Sequence, residues 1–120
     1  MPHLKLEHST NPPSENGSDA LLRELHETLE RLAGIRISNC ESRVLPASRY
    51  LVGRGEEDFS FVHLDVRFLE GRSRDVRRAV GEELLRLLTA AYEEAGPNIQ
   101  ITSRCARSSG RAISSIPPVR

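Results

Sequence analysis

Tryptophan is absent from this chain, and two Tyr and three Phe are the only aromatic residues among 120. A core so poor in rings must be built from Leu, Val, Ile and Ala, with little aromatic anchoring at any one point, and association with further copies would add burial. Excess charge is missing as well. Lys and Arg total 17 and Asp and Glu total 17, so net charge gives no reason to expect nucleic acid, an anionic membrane or a strongly acidic partner. No apolar run approaches the roughly 20 residues of a membrane-spanning helix. The opening MPHLKLEHS has neither the basic nor the apolar region of a secretion signal. Cys40 and Cys105, the two cysteines, show no CxxC or Cys/His metal spacing. These absences predict a soluble cytoplasmic protein of one domain with reduced thiols, no metal and no cofactor.

What is present is hydrophobic periodicity. Leu4 and Leu6 alternate with Lys5 and Glu7, a period of two that predicts a half-buried strand over residues 3 to 8. Turn formers from Ser9 to Gly17, Pro12 and Pro13 among them, lead to Ser18 as a helix N-cap. Leu21, Leu22, Leu25, Leu29 and Leu32 then share one helical face, and Gly34 stands where a helix ends. A short strand follows over Arg43 to Leu45, which Pro46 ends or confines to an edge. The clearest strand is Phe59 to Leu69. Its Val62, Leu64, Val66 and Phe68 face one way, and Phe61, His63, Asp65 and Arg67 the other. Ser73 is the N-cap of a second helix with an apolar stripe of Val76, Val80, Leu84, Leu87, Leu88 and Ala91, which Gly96-Pro97 stops. A fourth strand begins at Ile99 and Ile101.

Strand, helix, strand thus occurs twice. The fold class is α+β: two β-α-β units forming a four-stranded sheet with both helices on one face, because right-handed crossovers place them there. The opposite face is expected to be apolar and bare, which predicts a ring-like homo-oligomer.

Four segments in order, Pro2-His3-Leu4, Ser42-Arg43-Val44, Phe61-Val62-His63, and Gly71-Arg72-Ser73 followed by Arg77 and Gly81-Glu82, resemble the 5-carboxymethyl-2-hydroxymuconate Δ-isomerase branch of the tautomerase superfamily. The resemblance covers Pro2 to about Ile101. It implies the tautomerase-type fold, a homotrimer packing its sheets around a central axis, and a cofactor-independent keto-enol or allylic isomerase of aromatic-acid catabolism. The substrate it implies is a small carboxylate with a 2-hydroxydienoate or 2-oxo acid unit.

The catalytic residue in that reading is Pro2. Removal of Met1 would expose a secondary amine with a reference pKa of about 7.7–8.0, which burial and nearby cations lower, so that it can serve as a base near neutral pH. Without the resemblance, Pro2 reads as the first residue of an edge strand. For substrate binding the resemblance selects Arg72, in the Gly-Arg-Ser turn before the second helix, and Arg43. A guanidinium can grip a carboxylate with two hydrogen bonds and steady enolate charge. The other readings are a solvated turn arginine for Arg72 and a salt bridge at a strand edge for Arg43. Glu41 stands where the family has a substrate-binding arginine, so either Arg36 or Arg43 replaces that cation, or the substrate is less acidic, or turnover is weak. His63 reads as a hydrogen-bonded core or interface histidine. The alternative function is a catalytically weak or silent tautomerase-fold oligomer with a binding or structural role, and a further one uses Pro2 to direct water addition.

The domain of residues 1–102 gives way at Ser103 to SRCARSSGRAISSIPPVR, rich in Ser and Arg. The fourth strand is expected to stop there and the segment 103–120 to form an atypical tail. A base missing within or just after the Thr102 codon accounts for the change. Allowed codons for this tail spell, in the restored frame, ITVEVREIERARYFKYPAG and a stop, with the period-two pattern of a strand.

The intact mass of the mature chain should be short by one methionine. A retained Met1 would turn the Pro2 nitrogen into a non-basic amide and remove it from the chemistry.

Overall fold

The computed structural model describes residues 2–9, 17–55, 59–69 and 71–108. The turn formers at 10–16, Glu70 and the tail from residue 109 lie outside them. β1 (His3–Ser9), α1 (Gly17–Ala33), β2 (Glu41–Ala47), β3 (Ser60–Leu69), α2 (Arg74–Ala91) and β4 (Ile99–Ser108) follow in order. The sheet order is β2-β1-β3-β4. β1 pairs parallel with β2, β3 pairs parallel with β4, and the two halves join where β1 runs antiparallel to β3. This is the doubled β-α-β arrangement the periodicity predicts.

The core lies between the sheet and the two helices. Leu4, Leu6, Val62, Leu64 and Val66 project from the inner strands, and Leu21, Leu25, Leu29, Val80, Leu84 and Leu88 meet them from above. Leu alternation on β1 and Val/Leu alternation on β3 put every second side chain into this layer. α1 begins at Gly17, so Ser18 lies inside the helix instead of capping it. Its other end is as expected. Gly34 takes a positive φ of 68° that a glycine adopts without strain, and the Ile35 N–H reaches back to the Leu29 carbonyl. At the start of α2 the Ser73 hydroxyl accepts from the Val76 N–H at 3.2 Å. That helix ends at Ala91, earlier than Gly96-Pro97 suggested, because Tyr92 is buried and a 3-10 turn over Glu93–Ala95 intervenes.

Three further expectations change. β2 is longer than Arg43 to Leu45 and carries Pro46 within it, which its place at the sheet edge allows. β4 does not stop at Ser103, since its pairing with β3 continues to Leu69↔Ser108. The opposite sheet face is not apolar. His3, Lys5, Glu7, Glu41, Arg43, Gln100, Thr102 and Arg104 are exposed there, and Leu45, Ala47, Phe61 and Ala106 are the apolar members among the described residues. The same alternation that fills the core sends charged residues to the other side, as in sheets with one wet face. Among the described residues no helix is long and apolar enough to cross a membrane.

Leu64 is fully buried at the centre of β3. Leu64→Ala should cost about 2–5 kcal/mol in urea unfolding through lost burial and a residual cavity. A change under 1 kcal/mol would mean that the core is not centred on this strand.

Candidate active site

The pairing of β1 decides what surrounds Pro2. His3 stands opposite Glu41 of β2 and Arg67 of β3, so Pro2 lies at the end of the sheet where β1 and β2 begin and β3 finishes. Pro2 is buried, and its carbonyl accepts the Glu41 N–H at 3.1 Å. The strand that carries it is thereby fixed up to its first residues.

Arg72 follows the end of β3 and comes to the same end of the sheet. Its Nε donates to the Ala33 carbonyl at 2.8 Å, satisfying an acceptor left open in the last turn of α1. Its own carbonyl accepts from Arg77 at 2.7 Å. The turn is therefore braced on two helices, and Arg72 is half-buried instead of waving in solvent. One guanidinium edge is used on Ala33, which leaves its remaining N–H groups for an anion.

Arg43 behaves differently. It projects from the polar face of the sheet, level with Lys5, and one guanidinium nitrogen lies 3.7 Å from Glu41 Oε1. The same carboxylate oxygen is 2.9 Å from His3 Nδ1. The strand-edge ion pair weighed for Arg43 is thus present, although all three side chains are about half exposed and the pair adds little stability. Glu41, expected to repel an anionic substrate, has its charge shared with His3 and Arg43 on this face.

Between the Ala33 anchor and Glu41 runs a short connection that carries Arg36, Asn39 and Cys40. The Arg36 carbonyl accepts from the Asn39 N–H at 2.9 Å and from the Cys40 thiol at 3.7 Å, closing a 3-10 turn over residues 37–39. Arg36 is exposed and makes no ion pair among the described residues. A three-residue turn with no hydrophobic period gives no signal in a sequence, which is why its position emerges only here.

The histidines have ordinary partners. His63 Nδ1 is hydrogen-bonded to Thr102 Oγ1 at 2.7 Å, and His26 Nε2 to Ser42 Oγ at 3.0 Å. Burial lowers the pKa of His26 below its usual value. No group of three or more His, Cys, Asp or Glu among the described residues is arranged to hold a metal.

A family model described as 5-carboxymethyl-2-hydroxymuconate isomerase matches residues 2–102. A 5-carboxymethyl-2-hydroxymuconate Delta-isomerase of Escherichia coli is 28% identical over 92 residues, spanning 77% of this chain and 73% of that protein. Among solved structures, a 5-carboxymethyl-2-hydroxymuconate isomerase from Deinococcus radiodurans R1 superposes with a TM-score of 0.82 at 26% identity, covering 96% of this chain and 88% of that one. A fused 4-OT protein described as a symmetric trimer shares the fold, with a TM-score of 0.68 at 16% identity and 92% of each chain covered.

Burial raises the pKa of the Cys40 thiol and pushes that of Cys105 up to about 11, Asp65 adding to the latter effect. A raised thiol pKa means less thiolate, the nucleophilic form, at any given pH. At pH 8 Cys105 should therefore react with a disulfide reagent far more slowly in the folded protein than in urea. Equal rates in both states would show that this thiol is not enclosed.

Proposed function

We propose, for a chain that belongs to the 5-carboxymethyl-2-hydroxymuconate isomerase family and is an isomerase, that the Pro2 amine, freed by loss of Met1, moves a proton between carbons of a small 2-hydroxydienoate or 2-oxo acid. 5-Carboxymethyl-2-hydroxymuconate is the model for that substrate, and aromatic-acid breakdown in the cytoplasm the setting. The observation that carries this reading is the buried Pro2 held against Glu41 at the sheet end that also receives Arg72.

The steps use only this chain's own groups. The neutral Pro2 nitrogen takes the hydroxyl proton of a dienol, or a carbon-bound proton next to a carbonyl. The electron pair of the broken bond shifts along the conjugated system, and charge collects on the oxygen at C2. Arg72, through the N–H groups it does not spend on Ala33, holds a carboxylate and steadies that oxygen. The prolinium then returns the proton to the far carbon, moving the double bond and restoring the amine. No oxidant, metal or cofactor enters the balance. Guanidinium groups nearby favour the unprotonated amine and so suit it to the task near neutral pH.

Arg36 is the better replacement for the cation lost at Glu41. It begins the turn that joins the Arg72 anchor to the Pro2 anchor, and its guanidinium is not committed to a carboxylate, whereas Arg43 shares its charge with Glu41. Arg43 serves best as an electrostatic neighbour that keeps Glu41 occupied.

Assembly is a homotrimer in this reading. Support comes from the two outer strand edges of the sheet and from fold neighbours described as symmetric trimers. Burial of a charged face needs complementary charge, and Lys5, Arg43, Arg67 and Arg104 supply it to Glu7, Glu41 and Asp65. Membership of an isomerase family argues against the silent, purely structural alternative.

Ketonisation of phenylenolpyruvate or 2-hydroxymuconate, followed in the ultraviolet, tests the assignment. Pro2→Ala should lower kcat by about 10²- to 10⁴-fold, the usual contribution of a positioned base. Arg36→Ala should raise KM several-fold with a smaller effect on kcat, and Arg43→Ala should change neither by much. Equal rates for Pro2→Ala and the parent would remove the proline from the mechanism.

A further inference from the structure

β4 carries a contradiction between backbone and side chains. Its main chain stays paired with β3 to Ser108, so the side chains of residues 103 and 105 must point into the core, opposite Leu64 and Val66. Ile99 and Ile101 fill the preceding inward positions with hydrocarbon. At 103 the inward group is instead a serine whose Oγ is buried and has no hydrogen-bond partner, a situation native cores avoid because the hydroxyl loses water and gains nothing. At 105 it is the Cys105 thiol. The family match ends at Thr102, one residue before the misfit begins.

A displaced reading frame explains the buried serine and keeps position 105, where Cys105 packs against the core, apolar. If one base is missing at the Thr102 codon, each original codon consists of the last base of one present codon and the first two of the next. A cysteine codon begins TG, and any base followed by TG encodes Leu, Met or Val. Position 105 is therefore apolar in the restored frame whatever codons are used. A serine codon of the TCN type gives, in the same way, Phe, Leu, Ile or Val at position 103. The period of two that runs through Ile99 and Ile101 then continues where the strand needs it.

We propose that the coding frame slips by one base at Thr102, and that the in-frame continuation is an apolar-faced end of β4 that positions the Arg72 turn. The functional stake lies in the pairing. Residues 104–108 lie beside Asp65–Leu69, the last stretch of β3 before the Gly71-Arg72 turn. An orphaned hydroxyl at 103 weakens the hold of β4 on β3, the strand from which Arg72 is delivered to its anchor on Ala33. The displaced frame leaves the pairing of the backbone intact but places an orphaned hydroxyl at 103 and a small thiol at 105, where larger apolar side chains would hold it more firmly.

Three measurements test this. Genomic DNA read across the Thr102 codon should contain one additional base. Ser103→Val in the present chain should raise Tm by about 2–8 °C, the span that a gain of one buried methyl-sized contact and loss of one orphaned hydroxyl gives in a domain of this size. The full chain re-encoded with the base restored should melt higher still, with a lower KM and a kcat changed less than KM, the split expected of a positioning segment. An uninterrupted genomic frame, or a Ser103→Val chain that melts lower than the parent, would overturn the proposal. The kinetic arm rests on the role given to Arg72, while the genomic and thermal arms do not. A failure confined to KM would therefore count against that role, and a failure of the other two against the frame.

Discussion

Everything about the site depends on β1 lying between two partners. A strand paired parallel with β2 on one side and antiparallel with β3 on the other cannot slide, because a one-residue slip would turn Leu4 and Leu6 outward and Lys5 and Glu7 inward. Its first residue inherits that rigidity. Pro2 continues the strand by one residue, and the bond from the Glu41 N–H to its carbonyl fixes the point at which a terminal amine would sit. Terminal residues are ordinarily among the least ordered of a chain. Pro2, next to the start of the chain, is positioned by a sheet.

The same register sorts the cations around it. Arg43 lies on the wet face of the sheet because β2 alternates in step with β1, and there it meets Glu41 and His3. Arg72 arrives from the end of β3 and is tied to the C-terminal turn of α1. Two arginines that are alike in sequence thus have different surroundings, one within an exposed ion-pair cluster and one braced by backbone with donors to spare. Arg36 sits between the two anchors and remains uncommitted.

Much of the fold was legible in the residues. Leu4 and Leu6, the Val62 to Val66 alternation, the leucine stripe of α1 and Ser73 before α2 each state a local preference that the tertiary structure keeps, and agreement across levels is what makes such reading work. Misjudgements arose where a pattern has two faces or a signal is too short. The sheet face opposite the helices was expected to be apolar although Lys5, Glu7, Asp65 and Arg67 alternate with the core residues. β4 was expected to end at Ser103 because Ser and Arg carry little strand preference, yet ten residues of β3 offer a ladder that holds the backbone regardless. The Arg36–Cys40 turn has no periodicity, and the pairing of His3 with Glu41 depends on a register that no single strand encodes.

The central claim is that Pro2 acts as a base, and the direct test is the titration of its nitrogen. With ¹⁵N-proline incorporated into the mature assembled protein, the Pro2 resonance should shift with pH as a secondary amine. Its midpoint should fall below the range of about 7.7–8.0 usual for an α-amine, and kcat/KM should rise along the same curve as the amine loses its proton. A nitrogen that does not titrate, or one that titrates above that range while activity is already maximal below it, would contradict the account.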